Sequence, residues 1–288
     1  SSEMYVKIGL VLLGTTVVFD KLMQLGAIGI LQSVIVVFGV WYFSFWLCKK
    51  MKIDEEMAMM LSSAVSICGV SAAVATAGAI KGDKTKLSYI VSLVMIVAVP
   101  MIFLMPFLAK LLGLDAVMAG AWIGGTVDTT GAVVATGAVY GDEAKDASVI
   151  IKSSQNVLLG IAAFMISIYW SFKQSKGQKI TGEKYADKPS LKLIWDRFPK
   201  FVLGFIAASL LFSFVIDPAE NKQAMDTLKK MQGLWFALAF TSIGLETNFK
   251  SFLNVNNRKA TGAFLIAQTF NIVFTLLVIY LLASLIGY

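Results

Sequence analysis

From residue 61 to residue 80 the chain reads LSSAVSICGVSAAVATAGAI. The stretch is apolar enough to lie inside a bilayer, yet Ser66, Cys68, Gly69 and Ser71 fall near its middle. Small hydroxyl residues and a glycine let a membrane helix unwind, because hydroxyls and neighbouring elements re-satisfy the freed backbone groups. Close packing of small residues against another helix is the competing reading. The concentration of four such residues favours an interrupted helix.

The rest of the chain supports a membrane setting. Of 288 residues, 57% are hydrophobic and 15% charged, with a mean hydropathy of +0.76. A soluble domain is about a quarter charged. No segment marks a separate soluble unit, so residues 1–288 read as one integral membrane domain. Apolar runs near 5–20, 26–48, 57–80, 87–112, 116–140, 148–172, 195–216, 231–249 and 260–287 predict about nine crossings, at about 20 residues each. The fold class is an all-α polytopic membrane protein. The longest connector, 173–194, is rich in Lys and Gly and reads as a flexible loop. No cleavable signal pattern is read.

The net charge of +7 does not point to nucleic acid, because the charges sit in short segments between apolar runs. Basic residues there orient a membrane protein. If the nine spans alternate, 16 of the 25 Lys and Arg fall on the side holding Lys7, Lys49, Lys50, Lys52, Lys110, the 173–200 segment, Lys250, Arg258 and Lys259. That side is expected to be cytoplasmic. Histidine is absent, which excludes His-ligated metals and His proton relays, and two cysteines, Cys48 and Cys68, make neither a disulfide framework nor a metal site. With no Ser/His or paired-Asp arrangement, an enzyme is not expected and no organic cofactor is read.

Three further stretches carry polar residues that lipid does not tolerate on an exposed face. TSIGLETN, residues 241–248, holds Ser242, Gly244, Glu246, Thr247 and Asn248. Ser66-Ile67 and Ser242-Ile243 occupy comparable places in spans five apart, and an odd separation gives the antiparallel pair that an inverted repeat requires. GAWIGGTVDTTGAVVATGAVYGD, residues 120–142, is interrupted by Asp128, Thr129 and Thr130. Shifted by 59 positions, Ala73, Val74, Gly78, Ala79, Gly82 and Asp83 recur as Ala132, Val133, Gly137, Ala138, Gly141 and Asp142. By the span count these two segments run parallel, so the likeness reads as shared small-residue packing. IIKSSQNVLLG, residues 150–160, puts Lys152, Gln155 and Asn156 on one helical face. Lys152 either pairs with Asp128 across helices or snorkels to the interface.

Glu246 stands four residues before Lys250 and suits a surface pair. Against that, the span from Met231 is about 15 residues without 246–249, short for a crossing. The expectation is therefore a carboxylate inside the hydrophobic slab, protonated, paired or bound to a cation.

SICGVSAAVATAGAI, GAWIGGTVDTTGAVVATGAVYGDEAKDASVIIK and SIGLETNFK, in this order, resemble the YeiH-type family of proposed sulfate exporters. Members of that family are bacterial inner-membrane proteins of the bile acid/arsenite/riboflavin transporter superfamily. The likeness covers nearly the whole chain from KIGLVLLGTTVVFD onward. Many relatives carry His-Glu where this chain has Asp128-Thr129. Relatives also carry about two further helices ahead of the first span here, which implies two inverted five-helix repeats plus one helix. The resemblance implies that the spans 57–80 and 231–249 are two discontinuous helices crossing at the membrane midplane. Ser66, Cys68, Gly69, Ser71, Ser242, Gly244, Glu246, Thr247 and Asn248 would line that crossing.

The expected function is secondary transport of a small anion (sulfate, sulfite or a sulfonate) by alternating access. Helix N-termini at the crossing, with Asp128, Thr129, Thr130, Lys152, Gln155 and Asn156 as a second wall, would hold the anion. Glu246, with Thr247 and Asn248, would take Na+ or H+. Membrane lipid and the anionic substrate are the expected partners, and a homodimer is left open. A cation/proton antiporter without an anion substrate, and a membrane scaffold that transports nothing, are the alternatives.

Overall fold

A computed structural model describes residues 2–15, 19–177, 200–216, 222–246 and 258–286. Among them the chain is helical, without strands. The helices are α1 (Ser2–Gly14), α2 (Phe19–Lys50), α3 (Glu55–Ser63), α4 (Val70–Ile80), α5 (Lys84–Leu111), α6 (Ala116–Thr126), α7 (Thr130–Tyr140), α8 (Asp142–Gly177), α9 (Phe201–Phe214), α10 (Lys222–Glu246) and α11 (Arg258–Ile286). Four stretches are long and apolar enough to cross a membrane: Leu25–Lys50, Lys84–Leu111, Asp142–Trp170 and Arg258–Leu285. They lie in α2, α5, α8 and α11. The loop expected from residue 173 begins later, because α8 continues to Gly177.

Two of the expected crossings are not crossings. The 57–80 segment folds back on itself. Asp54 caps the start of α3, and a π-helical turn over Ala64–Cys68 follows α3. The chain then turns at Gly69, whose φ of 62° and ψ of −113° suit glycine. α4 returns alongside α3, so Gly82 beyond its end lies against the Met60 sulfur. Lys86, in the first turn of α5, binds Asp54 Oδ1 at 2.7 Å and Glu56 Oε2 at 3.1 Å. The start and end of this hairpin therefore share one end of the bundle. A chain of 24 apolar residues reads the same whether it crosses once or enters and leaves, so hydropathy alone cannot separate the two.

The 116–140 segment does the same from the other end. Asp115 caps α6, Val127 to Thr129 form the turn, and the Thr129 hydroxyl caps α7 through Ala132 N–H. Tyr140, the last residue of α7, hydrogen-bonds through its hydroxyl to the Leu114 carbonyl just before α6. α5 joins the hairpin bases: Lys86 holds the first, and Lys110 lies 5.7 Å from the Tyr140 ring of the second. At 1.5 Å per residue its 28 residues reach about 42 Å. α8 returns, and Tyr169 near its end meets Glu55 at the first base.

Small residues let the second hairpin sit close to α8. A Cβ on Gly120 would lie 2.6 Å from the Ala144 carbonyl oxygen, and one on Gly124 would lie 2.5 Å from that of Ser148. In lipid, where helix association depends on close packing, such contacts carry the assembly. Trp122, fully buried, donates its indole N–H to the Ile272 carbonyl at 2.8 Å and fixes the hairpin to α11.

The break expected within 231–249 is absent through Glu246. α10 is one continuous helix from Lys222 to Glu246, passing through Ser242 and Gly244. It starts nine residues before Met231, since Lys222–Lys230 are mostly good helix formers. The added turns carry Lys222, Asp226, Lys229 and Lys230 and lie at the end away from Glu246, and α10 is not one of the four stretches long and apolar enough to cross a membrane. Thr247 and Asn248 lie outside the described residues.

Candidate functional site

The two hairpin tips meet. A Cβ on Gly69 would stand 3.2 Å from Thr129 Cγ2 and 3.3 Å from Asp128 Cβ. The turn of each hairpin holds the carbonyl end of one helix and the amide end of the next. The Gly69 amide bonds Ala64 O at 3.0 Å, the i to i−5 pattern of a π turn, which opens the helix just ahead of the bend.

Buried polar side chains from α8 and α11 close on the exposed carbonyls. Lys152 Nζ donates to Ile67 O at 2.6 Å and to Gln155 Oε1 at 2.7 Å. Gln155 Nε2 donates to Ser66 O at 2.8 Å. Asn271 Nδ2 reaches Val65 O at 3.2 Å on the first hairpin and Thr126 O at 3.3 Å on the second. Gln268 Nε2 also donates to Thr126 O, at 3.0 Å. Thr275 donates to Asn271 Oδ1 and holds that amide in place. From α2, Gln32 Nε2 donates to Ala121 O, inside α6, at 3.0 Å. Asn156 Nδ2 donates to Thr130 Oγ1 at 3.2 Å. A side-chain collar thus does what water does at the end of a soluble helix.

Several oxygens in this zone stay without a hydrogen-bond partner although buried: Ser66 Oγ, Thr126 Oγ1, Asp128 Oδ1, Asn156 Oδ1 and Gln268 Oε1. Asp128 is 3% exposed and Lys152 1%. They are electrostatic neighbours, but no direct ion pair joins them. Lys152 does not snorkel: it is the eleventh residue of α8 and stays inside the bundle. Among the described residues no group of three His, Cys, Asp or Glu side chains could hold a metal ion.

The structure gathers Ser66, Cys68, Gly69, Asp128, Thr129, Thr130, Lys152, Gln155 and Asn156, which the sequence had singled out. Ser71 starts the first turn of α4, half-buried. Ser242 and Gly244 belong instead to α10, which packs along α1 and reaches α7. Near its start, Lys229 lies 3.7 Å from Asp142 at the second hairpin base. Gln32, Gln268, Asn271 and Thr275 were missed. Their signal was a lone amide or hydroxyl in an apolar helix, as in FLIAQTFNIVFT, residues 264–275.

The comparisons with known proteins agree with a membrane role. The family described as Conserved hypothetical protein 698 matches residues 1–263. A UPF0324 membrane protein of Rhodopirellula baltica is 39% identical over 98% of this chain and 52% of its own length. One from Nitratidesulfovibrio vulgaris is 38% identical over 97% of this chain and 49% of its own. One from Clostridium tetani is 26% identical over 93% of this chain and 77% of its own. The chain belongs to the UPF0324 family of membrane proteins, and a YeiH-type kinship is consistent with that. It is a multi-pass membrane protein, and it spans about half the length of the first two relatives. No solved structure matches it.

Proposed function

We propose that the protein is a secondary active transporter that moves a small anion (sulfate, sulfite or a sulfonate) across the bacterial inner membrane by alternating access, coupled to Na+ or H+. The observation that carries this reading is the tip-to-tip meeting of two helical hairpins at a buried polar cluster. Irregular backbone at membrane depth is tolerated where it is enclosed by protein or lines a cavity, and transporters place their sites there.

The paired units, first hairpin with α5 and second hairpin with α8, read as an inverted repeat. A hairpin enters and leaves at one end, so a single crossing by α5 turns the second unit over. The helix register of this repeat is an offset of 60, from Val70 to Thr130, one residue away from the 59-residue shift. Aligned on their helix starts, Val74-Ala75-Thr76 falls on Val134-Ala135-Thr136. The same parity change gathers Lys49, Lys50, Lys52, Lys81, Lys84, Lys86, Arg258 and Lys259 at the first hairpin's base and puts Lys110, Lys145, Lys229 and Lys230 at the other end. The basic excess makes the first end cytoplasmic. The loop after α8 starts from that end.

Lys152 and the amide end of α4, where Gly69 offers no side-chain cap, supply positive potential for an anion. Asp128 supplies the carboxylate that ion coupling needs, in the role the sequence suggested for Glu246. In proteoliposomes loaded with no anion, wild type is expected to accumulate radiolabelled sulfite or sulfate down an imposed H+ or Na+ gradient. Asp128→Asn is expected to lower that uptake at least about tenfold, as expected when an acid–base group is removed, and Glu246→Gln to retain it. Equal uptake by wild type and Asp128→Asn would remove Asp128 from the mechanism. The unpartnered oxygens around Asp128 favour a second reading, a cation/proton antiporter, which would show Na+-driven proton flux with no sulfur anion present.

A further inference from the structure

A cation held at a broken helix takes its ligands from carbonyl oxygens that have lost their helical partners. At these tips the carbonyls already have donors: Val65 O and Thr126 O from amides, Ser66 O from Gln155, and Ile67 O from Lys152. The last of these donors is itself a cation, and its two hydrogen-bond partners, Ile67 O at 2.6 Å and Gln155 Oε1 at 2.7 Å, are the kind of neutral oxygens an alkali ion takes. We propose that Lys152 is the protein's resident cation at this seat, so that transport is coupled to H+ and the tips hold no Na+. The proposal rests on the transporter reading above and narrows its coupling ion.

Charge balance supports it. The ionisable side chains facing Lys152 are Asp128 on the second hairpin and Cys68 on the first. Gln155 and Asn156 on α8, and Gln268 and Asn271 on α11, are neutral. One buried ammonium beside one buried carboxylate is a compensated pair, and an added Na+ would leave an uncompensated positive charge in a buried site. A proton fits differently. Passed from hydronium, it breaks an O–H bond there, forms one on the Asp128 carboxylate, releases water, and leaves Lys152 unopposed. A monovalent anion such as hydrogensulfite or a sulfonate then restores balance by pairing with Lys152 Nζ. Reversal at the other face returns the proton to water and releases the anion. One proton travels with each such anion and no net charge moves.

The test reads Na+ directly and needs no anion. The unfolding midpoint of the purified protein in detergent is compared in about 100 mM KCl and in the same concentration of NaCl, since a ligand that binds the folded state raises the midpoint. Wild type is expected to show no difference. Lys152→Ala removes the resident charge, bares Ile67 O and Gln155 Oε1, and leaves Asp128 uncompensated, so it is expected to gain a Na+-dependent rise of several degrees. Lys152→Gln keeps a donor for Ile67 O, which protects the fold, and should gain a smaller rise. A Na+ response in wild type would overturn the proposal in favour of the antiporter. Folded variants that ignore Na+ would overturn it as well. Absence of sulfite and sulfate uptake by wild type would sink the transporter reading while leaving the Na+ comparison interpretable.

Discussion

Gly69→Val is expected to abolish uptake and to destabilise the purified protein by about 3 kcal/mol or more, summing a strained backbone and an overpacked contact. The backbone at Gly69, φ 62° and ψ −113°, is one that side chains with a Cβ rarely adopt. A Cβ there would stand 2.8 Å from Val94 Cγ1, as well as close to Asp128 and Thr129. These neighbours come from α5 and from the opposite tip, so relief in one direction worsens contact in another. Gly69→Ala should show most of the loss, because the Cβ itself collides. Gly113 provides the contrast. Its φ is 64°, but a Cβ there meets nothing within 4 Å, so Gly113→Ala should cost only about 1 kcal/mol, the strain alone. Denaturant or thermal unfolding in detergent checks both, and a mild effect at Gly69 would mean that the tips do not press together.

Asn271→Leu is expected to cost about 2–4 kcal/mol and to lower uptake strongly, because two buried acceptors lose the same donor. Its amide nitrogen spans the hairpins, reaching Val65 O on one and Thr126 O on the other. Thr126 O keeps Gln268, whereas Val65 O is left facing leucine. The change is close in volume, so the loss reports hydrogen bonding rather than a cavity. Thr275→Val, which frees Asn271 Oδ1 without touching the carbonyls, should cost about 1 kcal/mol. Equal stability of Asn271→Leu and wild type would show that the amide does not hold the tips together.

Much of the site was legible in the sequence. Ser66 to Ser71 and Asp128 to Thr130 betrayed themselves as hydroxyls, a glycine and a carboxylate where a helix should be apolar. Lys152, Gln155 and Asn156 did so by helical spacing. The hairpins were not legible, because hydrophobic length measures time spent in the slab and not direction. That one ambiguity misassigned Lys110, made the two hairpin segments look parallel and hid their kinship. It also pushed the search for a partner to the Ser242 region, where Gly244 sits in an unbroken helix. A mid-helix glycine costs about 1 kcal/mol, too little by itself to break a helix that packing supports. The collar from α2 and α11 was half legible: an isolated amide in an apolar helix, such as Gln32, Gln268 or Asn271, reads as tolerated polarity until its carbonyl partner is known.

Of the two thiols, Cys48 is wholly buried near the end of α2, and Cys68 sits 5% exposed at the first tip. These 288 residues thereby form a two-cysteine background with one sulfur where the hairpin tips meet and one in packed protein. On the transporter reading proposed above, a membrane-impermeant alkylating reagent added from one face is expected to modify Cys68 only while that face has a path to the tips, with Cys48 as the internal blank. On that reading, the two native thiols report the facing state of this 288-residue chain without an engineered label.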